Sequence, residues 1–243
     1  MKDDLLSERS AIDFGDVLLI IDVQMDFLPE GALPVPDGEQ VIPILNDYID
    51  LFKPKNRIFA TRDWHPTNHI SFKEYGGPWP LHCIKESEGA KFHPDLRIPP
   101  NATVVSKGTN PGKESLSGFD GTDLSEILRS SEASRVFVGG LATDYCVKNT
   151  VLDARAEGFE VVLLTDAIKG INIWPGDAEL AIETMISKGA DTITLGDLPE
   201  PLEIPIEEPG AEEMAKKPLN KADMKKKARL RSRGPYRKAR VEQ

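Results

Sequence analysis

Only two cysteines, Cys83 and Cys146, occur in 243 residues. They follow no C-x-x-C spacing and cannot build a disulfide framework, so the fold must rest on a core. Two free thiols fit a reducing compartment, and a single Cys83–Cys146 bridge is the less favoured alternative. No apolar run approaches the roughly 20 residues a membrane span requires. The first ten residues, MKDDLLSERS, lack the charged-then-apolar plan of a secretory signal, so a cytoplasmic location is expected. Histidine is scarce as well, with four in the chain. Three of the four, His65, His69 and His82, nevertheless crowd into one stretch.

The composition is otherwise that of a soluble globular protein, 40% hydrophobic and 29% charged,. The net charge of −10 is unevenly distributed. Residues 214–243 hold 12 Lys or Arg against Asp223 and Glu242. That tail is basic and the rest of the chain strongly acidic, an asymmetry that calls for a reason. Residues 198–213 are proline-rich and acidic, a linker by composition. The tail has too few apolar groups for a core and is expected to be disordered or loosely docked. Its single aromatic, Tyr236, does not support base stacking, so nucleic acid ranks below an acidic partner or a neighbouring subunit. Deleting residues 214–243 separates a tethering role from catalysis.

Residues 1–197 read as one domain in which strand and helix patterns alternate. VLLIID is a continuous apolar run, as expected of a strand buried on both faces. Ile42, Leu45, Tyr48, Ile49 and Phe52 then recur at helical spacing. Further strands are read at Ile58–Ala60, Thr103–Val105, Val136–Val138, EVVLLTDA and TITLGD. Further helices are read in DLSEILRSS, with Asp123 or Thr122 as cap, in ATDYCVKNTVLDARAEG and in DAELAIETMISKGA. This alternation predicts an α/β fold, a six-stranded parallel sheet with helices on both faces. Residues 64–102 are rich in Pro, Gly and His without periodicity, and a loop of that length in a compact domain is usually functional.

Asp22, Asp63, Lys107 and Cys146 are each expected just past the end of a buried strand. In an open parallel sheet such positions converge on one crevice. Cys146 also opens a predicted helix, with Thr143 or Asp144 as cap, where the helix dipole favours a thiolate and unpaired N–H groups can receive an oxyanion. Against this stands the ordinary fate of cysteine as a buried structural residue. Asp63 and His65 form an Asp-x-His pair beside His69 and His82, a donor set suited to Zn²⁺, Fe²⁺ or Mn²⁺. Phe27, Trp79 and Tyr145 lie near these residues in sequence and either wall a pocket for a flat ring or pack in the core.

Five segments in one order, IDVQMDFLPEGAL, TRDWHPTNHISF, WPLHC, SKGTNP and GGLATDYCV, resemble the nicotinamidases among the isochorismatase-like cysteine hydrolases. The resemblance covers residues 14–197. It implies that Cys146 is the nucleophile, Asp22 the general base and acid, and Lys107 the third member of a triad. It implies an oxyanion hole from the N–H groups of Ala142 and Cys146, and a cis peptide at Leu141–Ala142. Asp63, His65 and His82 match the ligands of one divalent metal, Zn²⁺ first, with His69 a ligand in only some members. The implied activity is hydrolysis of nicotinamide to nicotinate and ammonia through a thioester, in NAD salvage. The alternatives are an amidase for another carboxamide or carbamoyl group, and a non-catalytic binding protein that uses the tail. A homo-oligomer is compatible with either enzyme, and the tail lies outside the resemblance.

Overall fold

A computed structural model of the chain describes residues 12–198. The expected linker and basic tail lie outside the described residues, apart from Leu198. Six strands form one parallel sheet: β1 Asp16–Ile21, β2 Ile58–Asp63, β3 Thr103–Lys107, β4 Arg135–Leu141, β5 Glu160–Lys169 and β6 Asp191–Ile193. Their spatial order is β3-β2-β1-β4-β5-β6. The chain therefore builds outward from β1 to one edge, returns to the centre, and builds outward again from β4. The strand order reverses between β1 and β4, and ligands of open α/β sheets bind at that point, outside the carboxyl ends of the strands.

Alternation along β1 assigns its side chains to two layers. Leu18 and Ile20 face a core closed by helix α1, Val41–Phe52, through Leu45, Tyr48, Ile49 and Phe52. Val17, Leu19 and Ile21 face the opposite core. That second layer is closed by α2, Leu124–Ser130, α3, Lys148–Ala156, and α4, Asp177–Ser187. Both faces of the sheet are covered, so β1 is buried at every position. Each fully buried Leu or Ile of this kind contributes roughly 1.5–3 kcal/mol of transfer free energy. No helix of the described residues is long and apolar enough to cross a membrane.

The strands run further than their apolar cores suggest. Asp63 and Lys107 are the last residues of β2 and β3, paired in register with each other, rather than residues beyond the strand ends. A buried polar side chain can end a strand when the backbone ladder still has a partner, and apolar patterning alone cannot register this. β6 is shorter than expected, and Leu195–Asp197 forms a 3₁₀ turn held by a reciprocal Thr194–Asp197 capping box,. The expected single helix from Ala142 is two elements. Thr143–Val147 is one π turn, and the α-helix begins at Lys148. Ala142, with extended backbone, occupies the capping position in place of Thr143 or Asp144. The Asp144 carboxylate is drawn elsewhere, accepting the N–H groups of Ile171 and Asn172. π turns of this kind recur at functional sites.

Gly140 lets β4 approach β1 closely before the chain turns into the π segment. Its φ is 125°, and a Cβ there would collide with the carbonyl of Ile21,. The Leu141–Ala142 peptide that follows is cis, as the family resemblance implies.

Candidate active site

Asp22 leaves β1 with φ 47°, a left-handed conformation that turns its side chain off the strand line at the sheet's switch point,. It is fully buried and anchored by Thr61, whose hydroxyl donates to Oδ1 at 2.7 Å. Lys107 reaches across from β3. Its ammonium lies 2.9 Å from Asp22 Oδ2, also pairs with Asp63 Oδ1, and stands 3.4 Å from Cys146 Sγ and 3.3 Å from the Ser115 carbonyl. One oxygen from each of Asp22 and Asp63 and the Cys146 sulfur all lie within 4.8 Å of one another. The three strand ends and the π turn thus bring together the thiol, the amine and the carboxylate that were expected to meet.

These groups are buried, so burial and mutual charge shift which of them ionise,. Burial works against the Lys107 ammonium, but Asp22 and Asp63 outweigh it and hold its pKa well above the ordinary lysine value. Burial likewise opposes the Asp63 carboxylate, yet the Lys107 ammonium beside it keeps that group well below the usual range. Asp22 goes the other way: burial pushes its pKa up and Lys107 only partly offsets this. The Cys146 thiol is also pushed well above its ordinary value, by burial first and then by the two carboxylates, against the pull of Lys107. Burial and the two acids thus work against the thiolate that a helix dipole would favour, and Lys107 works for it. The sulfur sits in a π turn beside two acids and one ammonium.

The second cluster lies alongside. One donor atom from each of Asp63, His65 and His82 falls within 4.8 Å of the others, and all three residues are buried. The set fits a divalent metal by an independent feature. His65 Nδ1 is 2.9 Å from the Gly108 carbonyl, and His82 Nδ1 is 2.8 Å from the Pro80 carbonyl. A carbonyl can only accept, so each Nδ1 carries the proton and each Nε2 keeps its lone pair for a ligand bond. His65 Nε2 accordingly faces Asp63 Oδ2 at 3.6 Å. Gly108 must be glycine here: its φ is 63°, and a Cβ would run into the His65 ring. His69 stacks on His65 with ring centroids 4.2 Å apart, but both of its nitrogens are engaged, Nδ1 with Ser71 and Nε2 with the Lys113 carbonyl.

Above the two clusters opens a cleft of about 430 Å³, its mouth included. Asp63, His65, His82 and Cys146 lie on its floor, and Phe27, Trp79 and Tyr145 are among its walls. Trp79 and Tyr145 meet edge to face at 5.3 Å. The apolar remainder includes Leu33, Val35, Leu141 and Ile171. Three polar residues that hold the site do not stand out in the sequence. Thr61 is an ordinary strand threonine until register places it opposite Ile21, next to Asp22. Gln24 is fully buried and pins Asp63: Oε1 accepts the Asp63 N–H at 2.7 Å, and Nε2 donates to the Asp63 and Ala90 carbonyls. Asp144, expected only as a helix cap, is the third: it holds the N–H groups of residues 171 and 172. The only cue for Gln24 is an uncharged amide a few residues beyond a buried strand.

A parallel sheet that gathers a thiol, a carboxylate and an ammonium at its switch point has the architecture of a cysteine hydrolase. The chain belongs to the isochorismatase domain family, whose model matches residues 16–197. The nicotinamidase of Escherichia coli (strain K12) is 40% identical over 205 residues, which cover 75% of this chain and 96% of that protein. The pyrazinamidase of Pyrococcus horikoshii, solved in complex with zinc, is 52% identical with a TM-score of 0.71, covering 74% of this chain and 99% of its own. A structure of PnC1 from L. infantum in complex with nicotinate is 35% identical with a TM-score of 0.70, covering 78% and 98%.

Proposed function

We propose that this chain is an amidohydrolase that converts nicotinamide to nicotinate and ammonia, with Cys146 as nucleophile. The observation that carries the proposal is the junction of Asp22, Lys107 and Cys146 beside Asp63, His65 and His82, under an aromatic-walled cleft. Asp22, charged and held by Thr61 and Lys107, takes the proton from Cys146 as the sulfur attacks the carboxamide carbon. The carbonyl electron pair moves to oxygen, which the N–H groups of Ala142 and Cys146 receive. On collapse the carbon–nitrogen bond breaks, Asp22 gives its proton to the amine, and ammonia leaves a thioester. Water then gives a proton to Asp22 as its oxygen attacks the thioester carbon. The carbon–sulfur bond breaks, and Asp22 returns the proton to sulfur as nicotinate departs. Lys107 stays charged throughout and keeps the sulfur and both carboxylates in register.

Asp63, His65 and His82 would hold one divalent ion, Zn²⁺ first and Fe²⁺ or Mn²⁺ next, and the ion would supply Lewis-acid coordination for the ring nitrogen. The cleft walls orient the ring over the sulfur, which converts binding into proximity. The two free thiols support a cytoplasmic setting. The basic tail, residues 214–243, is read as a contact for an acidic partner or a neighbouring subunit.

The test is release of ammonia and nicotinate from nicotinamide by the full chain, with and without a chelator. Turnover that the chelator abolishes and added metal restores is the expected result. Hydrolysis of another carboxamide or carbamoyl compound with none of nicotinamide would overturn the substrate assignment and leave the triad standing.

A further inference from the structure

Asp144 lies two residues before the sulfur and is buried, yet it faces away from the triad. Its carboxylate accepts two consecutive backbone N–H groups, Ile171 to Oδ1 at 2.9 Å and Asn172 to Oδ2 at 2.8 Å. Those residues follow the end of β5 at Lys169. Asn172 holds φ 52° and uses its own side-chain oxygen to accept the Ala178 N–H at the start of α4. The loop is thus fastened at one end to the π turn that carries Cys146 and at the other to α4. Ile171 lines the cleft together with Leu33, Val35 and Leu141. The β4–β5 ladder holds the segment as far as Lys169, paired with Leu141, and the Asp144 bonds carry the hold on to Ile171. The two backbone bonds are charge-assisted and use both carboxylate oxygens, so they set both distance and orientation,.

We infer that Asp144 is a specificity-positioning residue: by clamping residues 171–172 to the nucleophile turn it sets the depth of the Ile171 wall, and so the size of ring the cleft accepts beside Cys146. The inference rests on the amidase reading and adds what limits its substrates. Asp144→Asn keeps the shape but retains one acceptor for two donors, and its amide hydrogens face an N–H. Asp144→Ala removes both bonds. The wall should then move outward, which weakens the hold on the small ring and relieves the clash with a larger one.

The experiment compares wild type, Asp144→Asn, Asp144→Ala, Ile171→Ala and the Asp144→Asn/Ile171→Ala double variant on nicotinamide and its singly ring-methylated derivatives, with metal content measured in each. The expected result for Asp144→Asn is a rise in KM for nicotinamide of about 10-fold with kcat little changed, the loss of one hydrogen bond to a charged group. The preference for nicotinamide over the methylated ring that meets Ile171 should fall in Asp144→Asn and in Ile171→Ala alike. In the double variant the two effects should not add, because both act through one wall. If Asp144→Ala does not fold, Asp144→Asn and Ile171→Ala still carry the test. Unchanged ring preference in Asp144→Asn, or full additivity in the double variant, would overturn the inference. A wild type inert toward nicotinamide would count against the parent reading alone, and the same ring-size comparison then runs on the carboxamide it does hydrolyse.

Discussion

The sulfur side and the imidazole side of the site are built by different means. Asp22 and Lys107 come from the ends of sheet strands, so their positions follow from register: Ile21 pairs with Thr61, and Asp63 with Lys107. His65 and His82 come from a stretch with little regular structure, where only Lys73–Tyr75 forms a 3₁₀ turn. Backbone carbonyls hold these rings from behind, at Gly108 and Pro80. Asp63 belongs to both sides. It ends β2, pairs with Lys107 and faces His65. The sheet's cores on both faces exist independently of the imidazoles, so the first side should tolerate loss of the second far better than the reverse.

The largest effect is expected where only the sulfur is lost. Cys146→Ala should lower kcat by about 10⁴-fold or more, as removal of a nucleophile does elsewhere. Its circular dichroism and metal content should match wild type, since the change removes one atom from the π turn and none of the Asp63, His65 and His82 donors. Lys107→Met removes the one cation between two buried carboxylates. It should cost about 3–5 kcal/mol in urea unfolding, the penalty for leaving buried charge uncompensated, and abolish turnover with it.

The imidazole side should break more quietly. His82→Ala should lose metal on dialysis, seen by elemental analysis, with cooperative unfolding retained. Melting of the whole sheet in this variant would erase the distinction between the two sides. Gly108→Ala acts one step behind the ligands, by forcing the His65 ring to move. A loss in metal affinity of about 10-fold is expected, read by competition with a chelator. The smallest effect is a shift along the pH axis. Asp22 must be charged to act as base, and burial already pushes its pKa up. Its hydrogen bond from Thr61 favours the charged form. Thr61→Val should therefore raise that pKa further and move the acidic limb of kcat/KM to higher pH. A limb that moves to lower pH would contradict the role given to Asp22.

The two sides were also unequally legible in the sequence. The strand that delivers Asp22 announces itself as VLLIID, because a strand buried on both faces has no polar alternation to hide it. The clustering of His65 and His82 near Asp63 stands out because the chain has so few histidines. His69 has the same residue type and the same loop, but spacing says nothing about which ring nitrogens a carbonyl or hydroxyl will claim. The ends of β2 and β3 were hidden because Asp63 and Lys107 are charged, and the pattern counts charge as an exit from the sheet. The π turn at Thr143–Val147 was hidden because its residues suit an α-helix as well. What diverted Asp144 from a capping role was a pair of N–H groups 27 and 28 residues further along the chain. The upward push on the thiol was beyond the sequence for the same reason, since it comes from burial and from carboxylates on other strands.

The covalent step is the centre of this account, and it can be observed on the protein itself. The full, metal-loaded chain is mixed with nicotinamide, quenched in acid during turnover, digested and analysed by mass spectrometry. A nicotinoyl group is expected on the peptide carrying Cys146 and none on the peptide carrying Cys83. Sustained nicotinate formation by Cys146→Ala, at a rate near that of wild type, would contradict it.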